Sequence, residues 1–177
     1  MPIREIITLP NSILRKKARK VRAFTPELQM LIDDMIETMR EAPGVGLAAP
    51  QVNVSQRVIV IEFAEPSDDE EPAPKLYVLI NPEIVRHSKE TTTDQEGCLS
   101  VPGYVGEVDR FSTLTVKGRN RHGKPVRIKA KDWLARILQH EIDHLDGVLY
   151  IDRANQVWRL EELEQQANEA GAASEAI

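Results

Sequence analysis

The sequence predicts an α+β fold in a single domain, with antiparallel strands packed around a central helix and a further helix at the C-terminus. Three observations carry this. Segments 25–44 and 131–147 place apolar residues at helical spacing. Short β-branched runs lie around and between them, and one pair reads as a hairpin. Strands interrupted by two long helices, rather than strands alone, point to mixed architecture. A chain of 177 residues suits one domain spanning 1–177 and suffices for a real core.

The elements follow in order. In "TPELQMLIDDMIETMREAPG", Thr25 can cap a helix and Pro26 suits its first turn. Leu28, Leu31, Ile32, Met35, Ile36 and Met39 fall on one face, and Pro43 and Gly44 end the run. "RVIVIEF" (57–63) reads as a buried strand. The acidic, proline-rich stretch 63–74 reads as a solvated loop. "KLYVLINPEIVRHS" suggests a strand, a turn at Asn81-Pro82 and a second strand. "STLTVKGRNRHGKPVRIKAK" reads as a hairpin turning near His122-Gly123. In "KDWLARILQHEIDHLDG", Asp132 is the expected N-cap and Gly147 the C-terminal stop. Residues 155–177 read as a helical, acidic tail.

Composition narrows the function classes. Apolar and charged fractions of 41% and 29% are those of a soluble globular protein. A net charge of −5 gives no hint of a DNA-binding surface, and the cations at Arg15, Lys16, Lys17, Arg19, Lys20 and Arg22 read as a solvated face. No apolar run approaches membrane length, and the N-terminus lacks the build of a signal peptide. One cysteine rules out an internal disulfide. A cytoplasmic location is therefore expected.

The chemistry centres on "QHEIDH", residues 139–144, which holds two of the chain's four histidines. A helix brings side chains at i and i+4 to one face, so His140 and His144 can share a metal ion. Glu141 lies about 100° round from His140, beside the metal rather than among its ligands. A carboxylate placed there can take a proton from the attacking water. Trp133, Ile137, His140 and His144 form one stripe, while Arg136, Gln139, Asp143 and Asp146 form a polar one. Two buried imidazoles side by side need two partners, and a metal supplies both.

A catalytic site usually has three protein ligands and an open position. Three candidates stand for the third ligand. The extended pattern HExxHxxGxxH keeps its glycine at Gly147 but has Tyr150 in place of the last histidine. Glu164 lies some twenty residues downstream. Cys98 is the chain's single cysteine, and it sits in the Gly-, Ser- and Pro-rich "QEGCLSVPG" rather than in an ordinary core strand.

Together, "GVGLAAPQ" (44–51), "EGCLS" (96–100) and "QHEIDH" (139–144) resemble the three ordered motifs of the peptide deformylase family. Each defined position matches, and the likeness runs from "LPNSILRKKARKV" to about residue 150. The resemblance implies Cys98, His140 and His144 as metal ligands and Glu141 as general acid/base. It implies two hydrogen-bond donors to the formyl oxygen, the Gln51 side chain and the Leu99 backbone N–H. Gly46 would be a backbone contact to the substrate. It further implies Fe(II) in the cell, with Zn(II), Ni(II) or Co(II) in isolated protein, and nascent formyl-methionyl peptides as substrates. On the helical stripe, Trp133 and Ile137 would give the methionine side chain an apolar wall, closed by Val45. Arg110, Glu96 and Asp143 would form a charge cluster supporting the site. Proximity to the ribosome follows from such a substrate. The tail, with Glu161, Glu162, Glu164, Glu169 and Glu175 against Arg159, should be repelled by RNA phosphates.

Overall fold

The computed structural model describes residues 2–68 and 70–171. Helix α1 spans Pro26–Glu41, and Thr25 accepts a hydrogen bond from the Leu28 N–H at 3.2 Å, as a cap should. Strands β1 (Gly46–Ala48), β2 (Val58–Phe63) and β3 (Lys75–His87) follow. Then come β4 (Thr91–Cys98), β5 (Val101–Phe111), β6 (Thr113–Arg119) and β7 (Pro125–Lys131). Helix α2 covers Asp132–Leu145 and the short α3 Tyr150–Arg153, before β8 (Gln156–Arg159) and α4 (Leu160–Glu169). All strand pairing within the two sheets is antiparallel, in the orders β1-β2-β3-β6-β7 and β4-β5-β8.

The run Val58–Ile61 explains how the helices are held. All four side chains are fully buried. Alternation sends Val58 and Val60 toward α1, where they meet Ile32, Met35 and Met39. Ile59 and Ile61 point the other way, onto Leu134, Leu138 and Ile142 of α2. Each such side chain contributes about 1.5–3 kcal/mol by burial. A strand covered on both faces must be apolar throughout, and this one is. Helix α2 thus lies centrally, against the first sheet and in contact with β5 of the second. Among the described residues, no helix is long and apolar enough to cross a membrane.

Three expectations are corrected, and one unassigned segment gains strands. Asn81-Pro82 is not a turn: β3 runs through it, with a register irregularity after Ile80 and Asn81 at φ +52°. The Asn81 side chain explains this, bonding both the N–H and the C=O of Val21 at 2.9 Å. The segment around Cys98, read as no ordinary core strand, gains the hairpin β4–β5, whose first strand is largely exposed. The tail is not helical from its start, because Gln156–Arg159 add to the edge of β5 as β8. Residues 172–177 of that tail, including Glu175, lie outside the described residues. Asp132 makes no side-chain cap; at φ +54° it donates its N–H to the Ser112 carbonyl at 2.9 Å. The hairpin turn at His122-Gly123 and the stop at Gly147, φ +72°, fall where expected.

Candidate metal centre and its cavity

Three elements bring the reactive side chains together. Cys98 ends β4 and pairs with Val101, so Leu99 and Ser100 form a two-residue turn. His140 and His144 project from one face of α2. Gln51 lies in the 3-10 turn Ala49–Val52 that follows β1. One ligand atom from each of Cys98, His140 and His144 falls within 4.8 Å of the others. The Cys98 Sγ lies 3.4 Å from His144 Nε2. That spacing of one sulfur and two imidazole nitrogens is what a divalent ion needs.

The surroundings fit an ion as well. His140 Nδ1 meets Glu96 Oε1 at 2.8 Å, which leaves Nε2 to face the thiol. Burial disfavours the charged form of His140. Hydrogen bonds to Cys98 and Glu96, with the charge of Glu141, outweigh it and hold the group up to about 10. Burial and the neighbouring His140 push His144 well below its ordinary value. The two imidazoles are thus pushed in opposite directions, His140 up and His144 down.

Glu141 is buried, and burial pushes its carboxyl up to about 7. Its Oε2 has no hydrogen-bond partner among the described residues. The same side chain abuts Gly46, where a Cβ would lie 2.6 Å from Oε1. Gln51 is only 2% exposed. Its Oε1 accepts from the Ala48 N–H at 3.0 Å, so the amide nitrogen faces the centre. That nitrogen donates to Ser100 Oγ at 3.1 Å and lies 3.6 Å from Cys98 Sγ.

A cavity of about 520 Å³ opens over these groups. Cys98, Gln51, His140 and Glu141 lie on it, with Val45, Gly46, Leu99, Trp133 and Ile137 along its walls. Trp133 and Val45 remain 38% and 48% exposed, as residues at a cavity mouth, whereas Ile137 belongs to the core. The volume suits a small ligand.

Of the three candidates for a third ligand, Cys98 is the one that joins His140 and His144 in the cluster. Tyr150 is buried and stacks on His140 at 6.1 Å, but its hydroxyl donates to the Tyr104 carbonyl at 3.1 Å. Glu164 is exposed on α4, away from the cluster. The charge cluster forms as read. Arg110 forks onto Glu96 with two bonds of 2.9 Å and reaches Asp143 at 2.6 Å. Despite burial, those bonds and that from His140 hold Glu96 well below the usual carboxylate range. Sequence reasoning missed Ser100, fully buried beneath Gln51. It also placed Arg136 and Gln139 on a merely polar stripe, whereas both are buried. Nothing in helical spacing marks a polar face that another sheet will cover.

A family model described as polypeptide deformylase matches residues 3–159. The chain belongs to the polypeptide deformylase family. A peptide deformylase from Dehalococcoides mccartyi (strain CBDB1) is 52% identical over 163 residues, covering 92% of this chain and 93% of that protein. The one from Desulforudis audaxviator (strain MP104C) is 48% identical, covering 92% and 100%. The crystal structure of the Thermotoga maritima peptide deformylase superposes with a TM-score of 0.79 at 39% identity, over 88% of this chain and all of that one. Within the family, the Cys-His-His set described above is the typical metal site. Its chemistry is metal-dependent hydrolysis that removes the N-formyl group from nascent peptides.

Proposed function

We propose that this chain deformylates formyl-methionyl nascent peptides with Glu141 as the proton carrier and Gln51 and the Leu99 N–H as donors to the oxyanion. Water and the formamide become formate and a free amine. The observation that carries the reading is the convergence, on one cavity, of three ligand atoms and a buried carboxylate with an unpartnered oxygen. A divalent ion held by Cys98, His140 and His144 supplies a more acidic water and a polarised carbonyl. Glu141 accepts the water's proton and returns it to the leaving amine. Burial, which raises this carboxyl, favours its taking up the water's proton. Gln51, its carbonyl held by the Ala48 N–H, turns its N–H₂ toward the centre, where oxyanion stabilisation requires a donor. Gly46 offers its backbone to the substrate, and Val45, Trp133 and Ile137 receive the unbranched methionine side chain.

Fe(II) is the working ion in this reading. One thiolate and two imidazoles admit Fe(II), Zn(II), Ni(II) and Co(II) alike, but zinc prefers closed four-coordinate geometry. The site of action is the cytoplasm, at or near the ribosome, with no docking role for the acidic tail. The test is hydrolysis of a formyl-Met peptide with and without chelator, for wild type and Glu141→Ala. Chelator should abolish turnover. Glu141→Ala should keep stoichiometric metal and lose nearly all activity; retained turnover would reject the proton-carrier role.

A further inference from the structure

Resting on the ligand assignment above, we infer that Arg136 is a positioning residue that locks the Cys98-bearing hairpin onto α2 and so sets the metal site before any ion arrives. The ligands come from two separate elements, the thiol from β4 and both imidazoles from α2. Something must hold the two in register. Arg136 is 3% exposed and projects from α2 one turn before His140. Its Nη1 donates to Glu96 Oε2 at 2.6 Å and to the Val108 carbonyl at 2.9 Å. Its Nη2 donates to the Thr92 carbonyl at 2.8 Å. One guanidinium therefore holds β4 by its backbone, β5 by its backbone, and the Glu96 side chain.

The partner count on Glu96 shows why this clamp matters. A carboxylate has about four acceptor positions. Glu96 Oε1 accepts from Arg110 Nη2 and meets His140 Nδ1; Oε2 accepts from Arg110 Nε and from Arg136 Nη1. All four are used. Arg110 belongs to β5, so its fork ties Glu96 to the neighbouring strand of the same hairpin, while its Nη1 reaches Asp143 of α2 at 2.6 Å, a tie near His144 that does not involve Glu96. Apart from the ligand His140 itself, Arg136 is the α2 side chain among the described residues that holds Glu96 toward the helix. Cys98 follows Glu96 by two residues on β4. Gln139 makes a comparable tie at the far end, exchanging two 3.0 Å bonds with the Phe111 backbone, but that lies next to the start of β4 rather than to Cys98. Arg136 is wedged between Glu96 and the Trp133 ring, 5.7 Å from its guanidinium carbon. All three of these residues also line the cavity.

The experiment compares wild type, Arg136→Met and Arg136→Lys by Co(II) binding in competition with a chelator, thermal unfolding without metal, and the visible spectrum. Thiolate-to-Co(II) charge transfer reports the Cys98 bond separately from the imidazoles. Arg136→Met should raise the Co(II) dissociation constant about 10- to 100-fold and lower the charge-transfer absorbance per bound ion. Arg136→Lys, which restores the charge but not the three-way fork, should fall between. A merely structural role would lower the unfolding temperature and leave both metal readouts alone. A folded Arg136→Met with a dissociation constant within twofold of wild type and an unchanged band overturns the inference. If Arg136→Met does not fold, the same result in Arg136→Lys overturns it. Absence of the thiolate band in wild type would instead refute Cys98 as a ligand, and the inference with it.

Discussion

Adding one methyl group at Gly46 should disable catalysis without disturbing the metal. A Cβ built there lies 2.6 Å from Glu141 Oε1 and 3.0 Å from both Cγ and Cδ. Ordinary contacts begin near 3.4 Å, so in Gly46→Ala the carboxylate must retreat by roughly 0.8 Å. Gly46 has no left-handed φ, so alanine meets no backbone strain, and the whole effect falls on Glu141. Misplacing a catalytic group by about 1 Å can cost 10²-fold. We expect kcat on a formyl-Met peptide to fall about 100-fold, or ~2.7 kcal/mol of barrier. Bound metal should stay stoichiometric, because the three atoms nearest the new methyl all belong to Glu141 and none to Cys98, His140 or His144. Initial rates of formate release, with metal content measured on the same samples, give the answer. A variant with full metal and kcat within threefold of wild type would show that Glu141 has room to move, or that it carries no proton.

Gln51→Ala should lower kcat more than it raises KM, by ~3 kcal/mol of transition-state stabilisation, since its donor acts on the developing oxyanion; a change in KM alone would contradict that role. Gly147→Ala should act on stability instead: its φ is +72° and a Cβ would collide with the Arg15 carbonyl, so we expect a loss of about 1–3 kcal/mol in urea unfolding, with normal turnover per folded molecule. Enzyme loaded anaerobically with Fe(II) should be much more active than the zinc form and should decay in air as iron is lost and Cys98 is oxidised, while nickel or cobalt preserves activity. Activity per bound ion over hours, with mass spectrometry of Cys98, checks this; equal iron and zinc activities would refute it.

What the sequence determined by itself is what short-range geometry controls. The i, i+4 spacing of His140 and His144 fixes their shared face as soon as a helix forms, and the apolar period of α1 and the cap at Thr25 are equally local. The family motifs located Cys98 and Gln51, though nothing in spacing alone chose Cys98 over Tyr150 or Glu164. Tertiary structure decided the rest, because those choices depend on partners distant in the chain. The hairpin β4–β5 lacks an alternating apolar pattern and is held by pairing and by Arg110, Arg136 and Gln139. Asn81 continues a strand because Val21, 60 residues away, satisfies its amide. Arg136 looks like a solvated residue on a polar stripe until a second sheet covers it. A buried cation needs acceptors in the right place, and only the folded chain brings Thr92, Glu96 and Val108 to it.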